Sequence, residues 1–356
     1  MASRTETFSG TMAVREQHRF DVPRLQAYLE RHVEDFSGAV EVEQFKGGQS
    51  NPTYRLTAGG KQYVLRRKPP GKLLPSAHAV DREFKAIKAL HGTGVPVPRP
   101  YVLCEDDSII GTPFYVMEMV EGRVLWDLTL PGMTPAERRA IYDAANEVQA
   151  NLHKVDHQEV GLADFGRPGN YFARQISRWT KQYQASIDEP IEAMEKLIRW
   201  LPENIPPEQG TSVVHGDYRL DNMIFHPTEP KVLAVLDWEL CTLGDPIGDF
   251  SYTCMSWRLD PSVFNGLGGV DFQGLGIPTE DEYVAAYCQR TGRSEIPHWE
   301  FYMAYNMFRL AGILQGIMGR HKDGTASSEH AARMGAMARP VAEQGWKQAQ
   351  LLMGKR

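Results

Sequence analysis

The feature that most constrains the fold is a stretch near the middle of the chain, from residue 213 to residue 238. Two valines lead into the polar run His215-Gly216-Asp217, and a second apolar segment begins directly after Asn222. A turn bounded by two prolines follows, and a third apolar segment then ends at Asp237. This pattern predicts a short strand, a polar loop and a β-hairpin that brings Asn222 close to Asp237.

The side chains that this hairpin would bring together suit phosphoryl transfer. A carboxylate and an amide oxygen, from Asp237 and Asn222, are ligands that Mg²⁺ takes while it keeps several waters. Asp217 lies just before them, where a carboxylate can orient a hydroxyl nucleophile. Asp and Asn are also ordinary turn residues, so an isolated D-x-x-x-x-N more often belongs to a plain loop. The complete pattern favours the catalytic interpretation, with His215 as a structural residue of the loop.

At these residues the chain resembles the aminoglycoside phosphotransferase and choline kinase family, which shares the protein-kinase-like fold. The resemblance implies that Asp217 is the catalytic base and that Asn222 and Asp237 bind Mg²⁺. It also implies that Arg219 contacts the transferred phosphoryl group, where protein kinases have a Lys. Arg and Lys differ in donor geometry, so the two side chains need not make the same contact.

The resemblance implies an α+β, bilobal protein-kinase-like fold. Residues 1–121 would form an N-terminal nucleotide-binding lobe with a five-stranded antiparallel sheet, and residues 122–356 a mainly helical C-terminal lobe for catalysis and acceptor binding. Apolar periodicity agrees with this division. It predicts strands at 40–45, 53–56, 62–67, 100–104 and 113–120, and helices at 21–36, 79–91, 134–154, 171–186, 191–201, 279–291, 297–320 and 329–353. The second and third strands are joined by a turn at Ala58-Gly59-Gly60, and the helix at 134–154 begins with an N-cap at Thr134 and a Glu at its third position.

The predicted nucleotide-binding residues begin in the first strands. Val64 and Arg66 share one face of the third strand because side chains alternate along a strand. The resemblance implies that Val64 covers the adenine of ATP and that Arg66 replaces the phosphate-binding Lys; the alternative is a solvated charge on an edge strand. A glycine-containing turn before the second strand can fold over phosphates, although such turns usually form simple hairpins. Its residues are Gly47, Gly48 and Ser50.

Glu83 lies on the buried stripe of the helix predicted at 79–91. Because an unpaired buried carboxylate is costly, Glu83 is expected to have a cationic partner, and Arg66 is the candidate. The alternative is an ion pair with Arg82 or a position at the rim of the helix, in water.

Other positions take their expected roles from the resemblance. Main-chain groups of Glu118 and Val120 would hydrogen-bond adenine at a hinge between the lobes. Asp245 and Asp249 would support the catalytic loop as scaffold residues. Five basic residues are candidate contacts for an anionic acceptor, although surface charges are usually only solvated. They are Lys68, Lys72, Arg320, His321 and Lys322.

Composition limits the class of protein and its partners. The chain has 42% hydrophobic and 24% charged residues, which is ordinary for a globular protein. A formal net charge of −6 gives no reason to expect nucleic acid or an anionic membrane as a partner. Four scattered cysteines, a polar N-terminus and no long apolar run predict a cytoplasmic protein without a disulfide framework or a zinc site.

Two longer runs narrow the resemblance. Residues 66–83 and 236–246 resemble phosphotransferase domains that occur alone in bacteria and also fused ahead of acyl-CoA dehydrogenase domains. For this subgroup the implied acceptors are hydroxylated acyl chains carried on coenzyme A. We therefore expect an ATP- and Mg²⁺-dependent enzyme that phosphorylates a small-molecule hydroxyl. Two alternatives stay open: an aminoglycoside or choline-like acceptor, and a nucleotide-binding regulator without catalysis.

Overall fold

Strands dominate the first part of the chain and helices dominate the rest. The structure is a computed structural model that describes residues 9–46, 51–69, 79–187, 189–322 and 331–354. Its strands are β1 Thr11–Met12, β2 Glu41–Phe45, β3 Thr53–Ala58, β4 Lys61–Arg67, β5 Pro100–Cys104, β6 Phe114–Glu118, β7 Ser212–Val214, β8 Met223–Phe225, β9 Val232–Val235 and β10 Thr242–Gly244. Its α-helices are α1 Val22–His32, α2 Val80–Leu90, α3 Pro135–Lys154, α4 Tyr171–Gln184, α5 Glu192–Glu203, α6 Pro246–Cys254, α7 Phe272–Leu275, α8 Glu280–Thr291, α9 Trp299–Lys322, α10 Ala331–Gly335 and α11 Ala338–Gly354.

The chain divides into two units, each built from two separate segments. Unit 1 comprises Met1–Trp126 and Asp221–Cys241, and unit 2 comprises Asp127–Leu220 and Thr242–Arg356. The boundary that the sequence suggested, at residue 122, lies close to the first of these breaks. It differs in one respect, because the hairpin of β8 and β9 belongs to unit 1 rather than to the helical part.

Backbone hydrogen bonds explain the place of this hairpin. The Val235 amide donates to the Pro96 carbonyl at 2.9 Å. Phe225 and Arg123 form an antiparallel bridge, with the Arg123 amide 2.7 Å from the Phe225 carbonyl. Both partners come from the N-terminal segment, so a short hairpin that would be marginal alone is held by unit 1.

The sheet of unit 1 is antiparallel, and its described strands follow the order β1-β2-β3-β4-β6-β5. The expected strand count of five was wrong, because β1 adds a sixth strand at the edge. Thr11 of β1 pairs with Phe45 of β2. Two residues are too few to show the alternation by which a strand is recognised in a sequence.

The connection between β3 and β4 is the tight turn that the sequence predicted. Gly59 and Gly60 occupy it with φ of +57° and +76°, as a two-residue hairpin turn of the I′ kind requires. A Cβ on Gly59 would also lie only 2.6 Å from the Ser37 carbonyl oxygen. Glycine is therefore needed there both for its backbone conformation and for space.

Helix α1 packs on one face of the sheet. Its residues Leu25 and Leu29 are fully buried in a cluster with Tyr63 and Leu65 of β4. Since side chains alternate along a strand, the neighbours of these two β4 residues point to the opposite face. The alternation thereby separates the apolar core from the residues that concern the candidate site.

Unit 2 is mainly helical, as expected. Helix α3 begins with the capping box predicted at Thr134, whose side chain accepts from the Glu137 amide while Glu137 accepts from the Thr134 amide. Helix α9 is buried along most of its length. Strands β7 and β10 form a two-stranded antiparallel ladder. Among the described residues, no helix is both long and apolar enough to cross a bilayer.

The single helix predicted at 329–353 was wrong. The first part of that range lies outside the described residues, and the remainder forms α10 and α11, separated by a turn at 336–337. Pro340 explains the break. Proline has no amide hydrogen and clashes with the carbonyl four residues earlier, so a helix restarts with the proline in its first turn.

Candidate active site

Val64 and Arg66 lie side by side on the face of β4 opposite to α1. Both side chains are buried, and Arg66 is only 8% exposed. The two opposed residues of β6 are Met117 and Tyr115, respectively. The alternative in which Arg66 is a solvated charge on an edge strand is therefore wrong, because β4 lies between β3 and β6.

The guanidinium of Arg66 pairs with carboxylates from two distant segments. Its Nε lies 2.8 Å from Glu83 Oε2, and its Nη2 lies 2.8 Å from Asp237 Oδ1. Glu239 is farther away, at 3.9 Å. The pair with Glu83 confirms the expected partner, whereas the pair with Asp237 was not predicted. Burial disfavours the charge of Arg66, but the two close carboxylates raise its pKa, so it stays a cation.

Glu83 is completely buried, at 0% exposure. The Tyr115 hydroxyl donates to Glu83 Oε2 at 2.9 Å, and the Asn51 amide donates to Oε1 at 2.8 Å. Burial raises the pKa of Glu83, and Arg66 and Tyr115 oppose that shift. The carboxylate thus has donors on both oxygens, as a buried charge requires.

Asn222 and Asp237 lie at the same end of the hairpin. The Leu236 amide donates to the Asn222 carbonyl at 2.8 Å, one position beyond the pairing of Met223 with Val235. Asn222 ends a short 3₁₀ turn rather than beginning the strand, and Asp237 lies two residues past β9. The expected proximity of the two residues along the hairpin follows from this register.

Asp237 has a left-handed backbone conformation, with φ of +62° and ψ of +61°. Few residues other than glycine adopt it, and Asp and Asn tolerate it best. Such conformations persist where the surrounding structure holds them, and they are frequent at functional sites. The Asp237 side chain is 40% exposed, so its carboxylate can be reached from solvent.

The donor set of this end of the hairpin fits Mg²⁺. One carboxylate and one amide oxygen are hard oxygen ligands, and Mg²⁺ usually takes one or two protein carboxylates with water and phosphate oxygens. Within the described ranges, no group of three or more His, Cys, Asp or Glu side chains could hold a metal ion. These residues can form a metal site with few protein ligands, in which solvent and nucleotide supply the other ligands.

Asp217 follows β7 in unit 2. The Tyr252 hydroxyl donates to Asp217 Oδ1 at 2.7 Å, and Arg219 Nε lies 3.4 Å from the same oxygen. Burial would raise the pKa of Asp217, but Arg219, Tyr252, His215 and Arg309 together lower it. The side chain remains 22% exposed. Asp217 is therefore an ionised carboxylate with access to solvent.

The loop that carries Asp217 is held by Asp249, as expected for a scaffold residue. Asp249 accepts from the His215 amide at 3.1 Å, from the Gly216 amide at 2.7 Å and from His153 Nε2 at 3.1 Å. Burial opposes ionisation, but the hydrogen bond from His153 and the other donors lower the pKa of Asp249 to about 2. Asp245 caps α6 and accepts from the Ile247 amide at 2.8 Å.

His215 has a structural part in this loop. The Asp217 amide donates to His215 Nδ1 at 3.1 Å, and the ring itself is fully buried. Gly216 adopts a φ of +84°, which sharpens the turn into Asp217. These contacts fix the backbone direction at Asp217, which is the structural part that the sequence predicted for His215.

Sequence reasoning missed Tyr252 of α6 and Arg309 of α9, both of which are buried next to Asp217. Arg309 could have been found by the argument used for Glu83, because it is a single charge in an otherwise apolar run of a helix. Tyr252 gave no signal, since a tyrosine on an apolar helix is an ordinary core residue.

The other predicted positions are divided between described and undescribed parts of the chain. Gly47, Gly48, Ser50 and Lys72 lie outside the described residues. Glu118 ends β6, and its amide donates to the Arg99 carbonyl at 2.8 Å, which leaves the amide of Val120 as the donor to consider for adenine. Lys68 lies 3.8 Å from Asp81, and Arg320, His321 and Lys322 end α9.

The fold and these residues define a class, the kinase-like aminoglycoside phosphotransferase fold. A crystal structure from Ralstonia eutropha JMP134, provisionally assigned as an aminoglycoside phosphotransferase, has a TM-score of 0.86 and 58% identity, covering 93% of this chain and 99% of that chain. A thermostable mutant of aminoglycoside phosphotransferase APH(4)-Ia, in ternary complex with ADP and hygromycin B, shares the fold alone. Its TM-score is 0.58 at 14% identity, over 90% of this chain and 98% of that chain.

A model of the family described as "Phosphotransferase enzyme family" matches residues 41–305. The chain belongs to this family. It is similar to acyl-CoA dehydrogenase family member 10 of Mus musculus, with 49% identity over 94% of this chain and 32% of the relative. It is also similar to acyl-CoA dehydrogenase family member 11 of Homo sapiens, with 45% identity over 92% of this chain and 43% of the relative. The chain thus spans less than half the length of these two relatives.

Proposed function

We propose that this protein transfers the γ-phosphoryl group of ATP to the hydroxyl of a small molecule in a Mg²⁺-dependent reaction. The observation that carries the proposal is the ionised carboxylate of Asp217, which accepts a hydrogen bond from Tyr252. It lies on a loop that Asp249 holds in place, in a chain of the phosphotransferase family. Asp217 accepts the proton of the acceptor hydroxyl while the hydroxyl oxygen forms a bond to the γ-phosphorus. The bond between that phosphorus and ADP breaks, and ADP leaves.

The remaining residues of the proposed site bind and orient. Asn222 and Asp237 hold Mg²⁺, whose chemistry when bound is to neutralise charge on the phosphate oxygens. Arg66, positioned by Glu83, is directed to the nucleotide phosphates, and Val64 to the adenine. Arg219 contacts the transferred phosphoryl group. Glu118 and Val120 provide main-chain groups for adenine, and the segment of Gly47, Gly48 and Ser50 covers the phosphates.

ATP should bind weakly without Mg²⁺ and more tightly with it, because Asn222 and Asp237 reach the phosphates mainly through the metal. Asp237→Ala should remove most of that gain. It also deprives Arg66 of one carboxylate, so metal-free ATP should bind the variant at least as well as wild type. Calorimetry with and without Mg²⁺ measures both effects. Glu229→Ala, on the exposed turn of the same hairpin, is the matched control; equal ATP affinity with and without Mg²⁺ in wild type contradicts the metal assignment.

The proposed acceptor is a hydroxyacyl-coenzyme A, phosphorylated on its acyl hydroxyl. This choice is supported by the names of the two similar relatives, which belong to acyl-CoA dehydrogenase families and extend well beyond the region that this chain matches. The competing choice is an aminoglycoside, favoured by the provisional assignment of the Ralstonia structure.

A panel of acceptors separates these choices. A hydroxyacyl-coenzyme A, kanamycin and choline are each incubated with ATP and Mg²⁺, and mass spectrometry detects the gain of one phosphoryl group. We expect kcat/KM to be highest for the hydroxyacyl-coenzyme A. The corresponding acyl-coenzyme A without a hydroxyl should gain no mass. A higher kcat/KM for kanamycin or choline would reject the proposed acceptor while keeping the phosphotransferase activity.

A further inference from the structure

The surroundings of Asp217 contain two buried residues for which the family match assigns no role. Tyr252 comes from α6 and Arg309 from α9, so each reaches the loop of Asp217 from a different helix of unit 2. Both are at least nine-tenths buried. A buried phenol and a buried guanidinium beside a carboxylate constrain its position, because neither can be moved without loss of packing.

The Tyr252 hydroxyl acts directly on the carboxylate. Its 2.7 Å hydrogen bond fixes Asp217 Oδ1, so the plane of the carboxylate cannot rotate without breaking the bond. The donor is neutral and the acceptor is charged, a combination stronger than a hydrogen bond between neutral groups. Burial also raises the pKa of Tyr252, which keeps the hydroxyl protonated and able to donate.

Arg309 acts on Tyr252 and on the loop at the same time. Its guanidinium carbon lies 4.7 Å from the centre of the Tyr252 ring and 5.5 Å from that of Trp179. Its Nη2 donates to the carbonyl of Gly216, the residue directly before Asp217. A planar guanidinium can stack on an aromatic face while it donates hydrogen bonds in fixed directions, and the compact ammonium of Lys lacks this geometry.

We propose that Tyr252 and Arg309 are positioning residues that hold the Asp217 carboxylate in one orientation for the acceptor hydroxyl. The proposal rests on the proposed function, since it concerns the base of that reaction. Geometry of this kind matters because a small misplacement of a catalytic group costs much of the rate gained from orientation. The two helices that carry these residues thereby define the orientation of the Asp217 carboxylate.

Tyr252→Phe tests the proposal, because it removes the hydroxyl and keeps the ring that stacks on Arg309. We expect kcat to fall about 10- to 100-fold, the equivalent of one hydrogen bond to a charged group, with the KM for ATP little changed. Tyr302→Phe is the matched control. Tyr302 is fully buried in α9, and its hydroxyl has no hydrogen-bond partner among the described residues, so this variant should keep the wild-type kcat.

A pH profile adds a readout that a structural role would not move. The groups that face Asp217 are Arg219 and His215 from its own loop, Tyr252 from α6 and Arg309 from α9. A hydrogen bond to the ionised form lowers the pKa of a carboxylate, so its loss in Tyr252→Phe raises that pKa. The acid limb of kcat should therefore move to higher pH in Tyr252→Phe and stay in place in Tyr302→Phe.

A double-mutant cycle distinguishes positioning from general damage. If Tyr252 acts through Asp217, then adding Tyr252→Phe to Asp217→Asn should cost little more than Asp217→Asn alone. Arg309→Lys, which keeps a charge but loses the planar stacking, should also lower kcat with little change in the KM for ATP. Thermal unfolding curves that match wild type exclude misfolding as the cause.

The possible failures can be told apart. A wild-type protein that transfers no phosphoryl group to any acceptor would reject the proposed function itself. An active enzyme in which Asp217→Asn lowers turnover but Tyr252→Phe does not would reject only the positioning role. Additive losses in the cycle would do the same, because they would place Tyr252 outside the action of Asp217.

Discussion

Asp217→Asn is expected to lower turnover by about 10²- to 10⁴-fold, the usual contribution of a positioned acid or base. The substitution keeps the size of the side chain and its ability to accept from Tyr252, but it removes the proposed proton acceptor. Nucleotide affinity should stay within a few fold of wild type, because Asp217 has no proposed contact with ATP. Turnover is measured with an acceptor that the wild-type protein phosphorylates, and nucleotide affinity is measured by calorimetry with ATP and Mg²⁺.

The control for this experiment is Asp281→Asn, which makes the same chemical change at an exposed position in the first turn of α8. It should retain full turnover. Equal rates for wild type and Asp217→Asn would exclude Asp217 as the base. If the wild-type protein binds ATP but transfers a phosphoryl group to no acceptor in the panel, that result would favour a nucleotide-binding regulator instead.

The second large effect concerns stability. Arg66→Met removes the cation from a carboxylate that is completely buried, and breaking a buried pair in this way costs about 3–5 kcal/mol. The free energy of unfolding, measured by urea denaturation, should fall by that amount. Arg66→Met combined with Glu83→Gln should recover most of the loss, because a neutral amide can still accept from Tyr115 or Asn51.

The pH dependence of the Arg66→Met variant provides an independent check. Burial raises the pKa of Glu83, and without Arg66 the main opposing influence is gone. A group whose pKa is higher in the folded state stabilises the protein at low pH, and this contribution is lost as pH rises. The deficit of Arg66→Met against wild type should therefore shrink on acidification and grow toward neutral pH. A constant deficit would show that Glu83 is not the group responsible.

Arg55→Met is the comparison within the same sheet. Arg55 pairs with Glu43 across β3 and β2, but both side chains are partly exposed to solvent, at 30% and 43% exposure. Exposed ion pairs usually contribute less than about 1 kcal/mol. A cost at Arg55 as large as that at Arg66 would contradict the view that burial, rather than pairing itself, makes Arg66 important.

Sequence reasoning succeeded where one local rule was enough. The Arg66–Glu83 pair followed from a charge on an apolar helical stripe, which must find a partner of opposite sign. The turn at Gly59 and Gly60 and the cap at Thr134 likewise depend on a few adjacent residues. These features could be predicted because their physical causes lie within a single element or its nearest neighbour.

The features that were missed depend on pairing between distant segments. Strand β10 has three residues and no alternation, so only its ladder with β7 reveals it. The contact of Arg66 with Asp237 joins β4 to a hairpin 171 residues later. Tyr252 and Asp217 meet only because α6 returns to the loop after β7. The periodicity of a single segment carries no information about contacts between distant segments, so these contacts are seen only in the fold.

If Arg66 binds the nucleotide phosphates as proposed, in place of the usual Lys, the protein should respond differently to chemical labelling. An electrophilic analogue of ATP captures a lysine beside the phosphates because an amine can lose its proton and act as a nucleophile. A guanidinium is delocalised and stays protonated, and the carboxylates of Glu83 and Asp237 reinforce its charge against burial. Such a reagent would leave Arg66 unmodified. A survey that identifies ATP-binding proteins by labelling the phosphate-binding lysine would therefore not detect this protein, even with an intact nucleotide site.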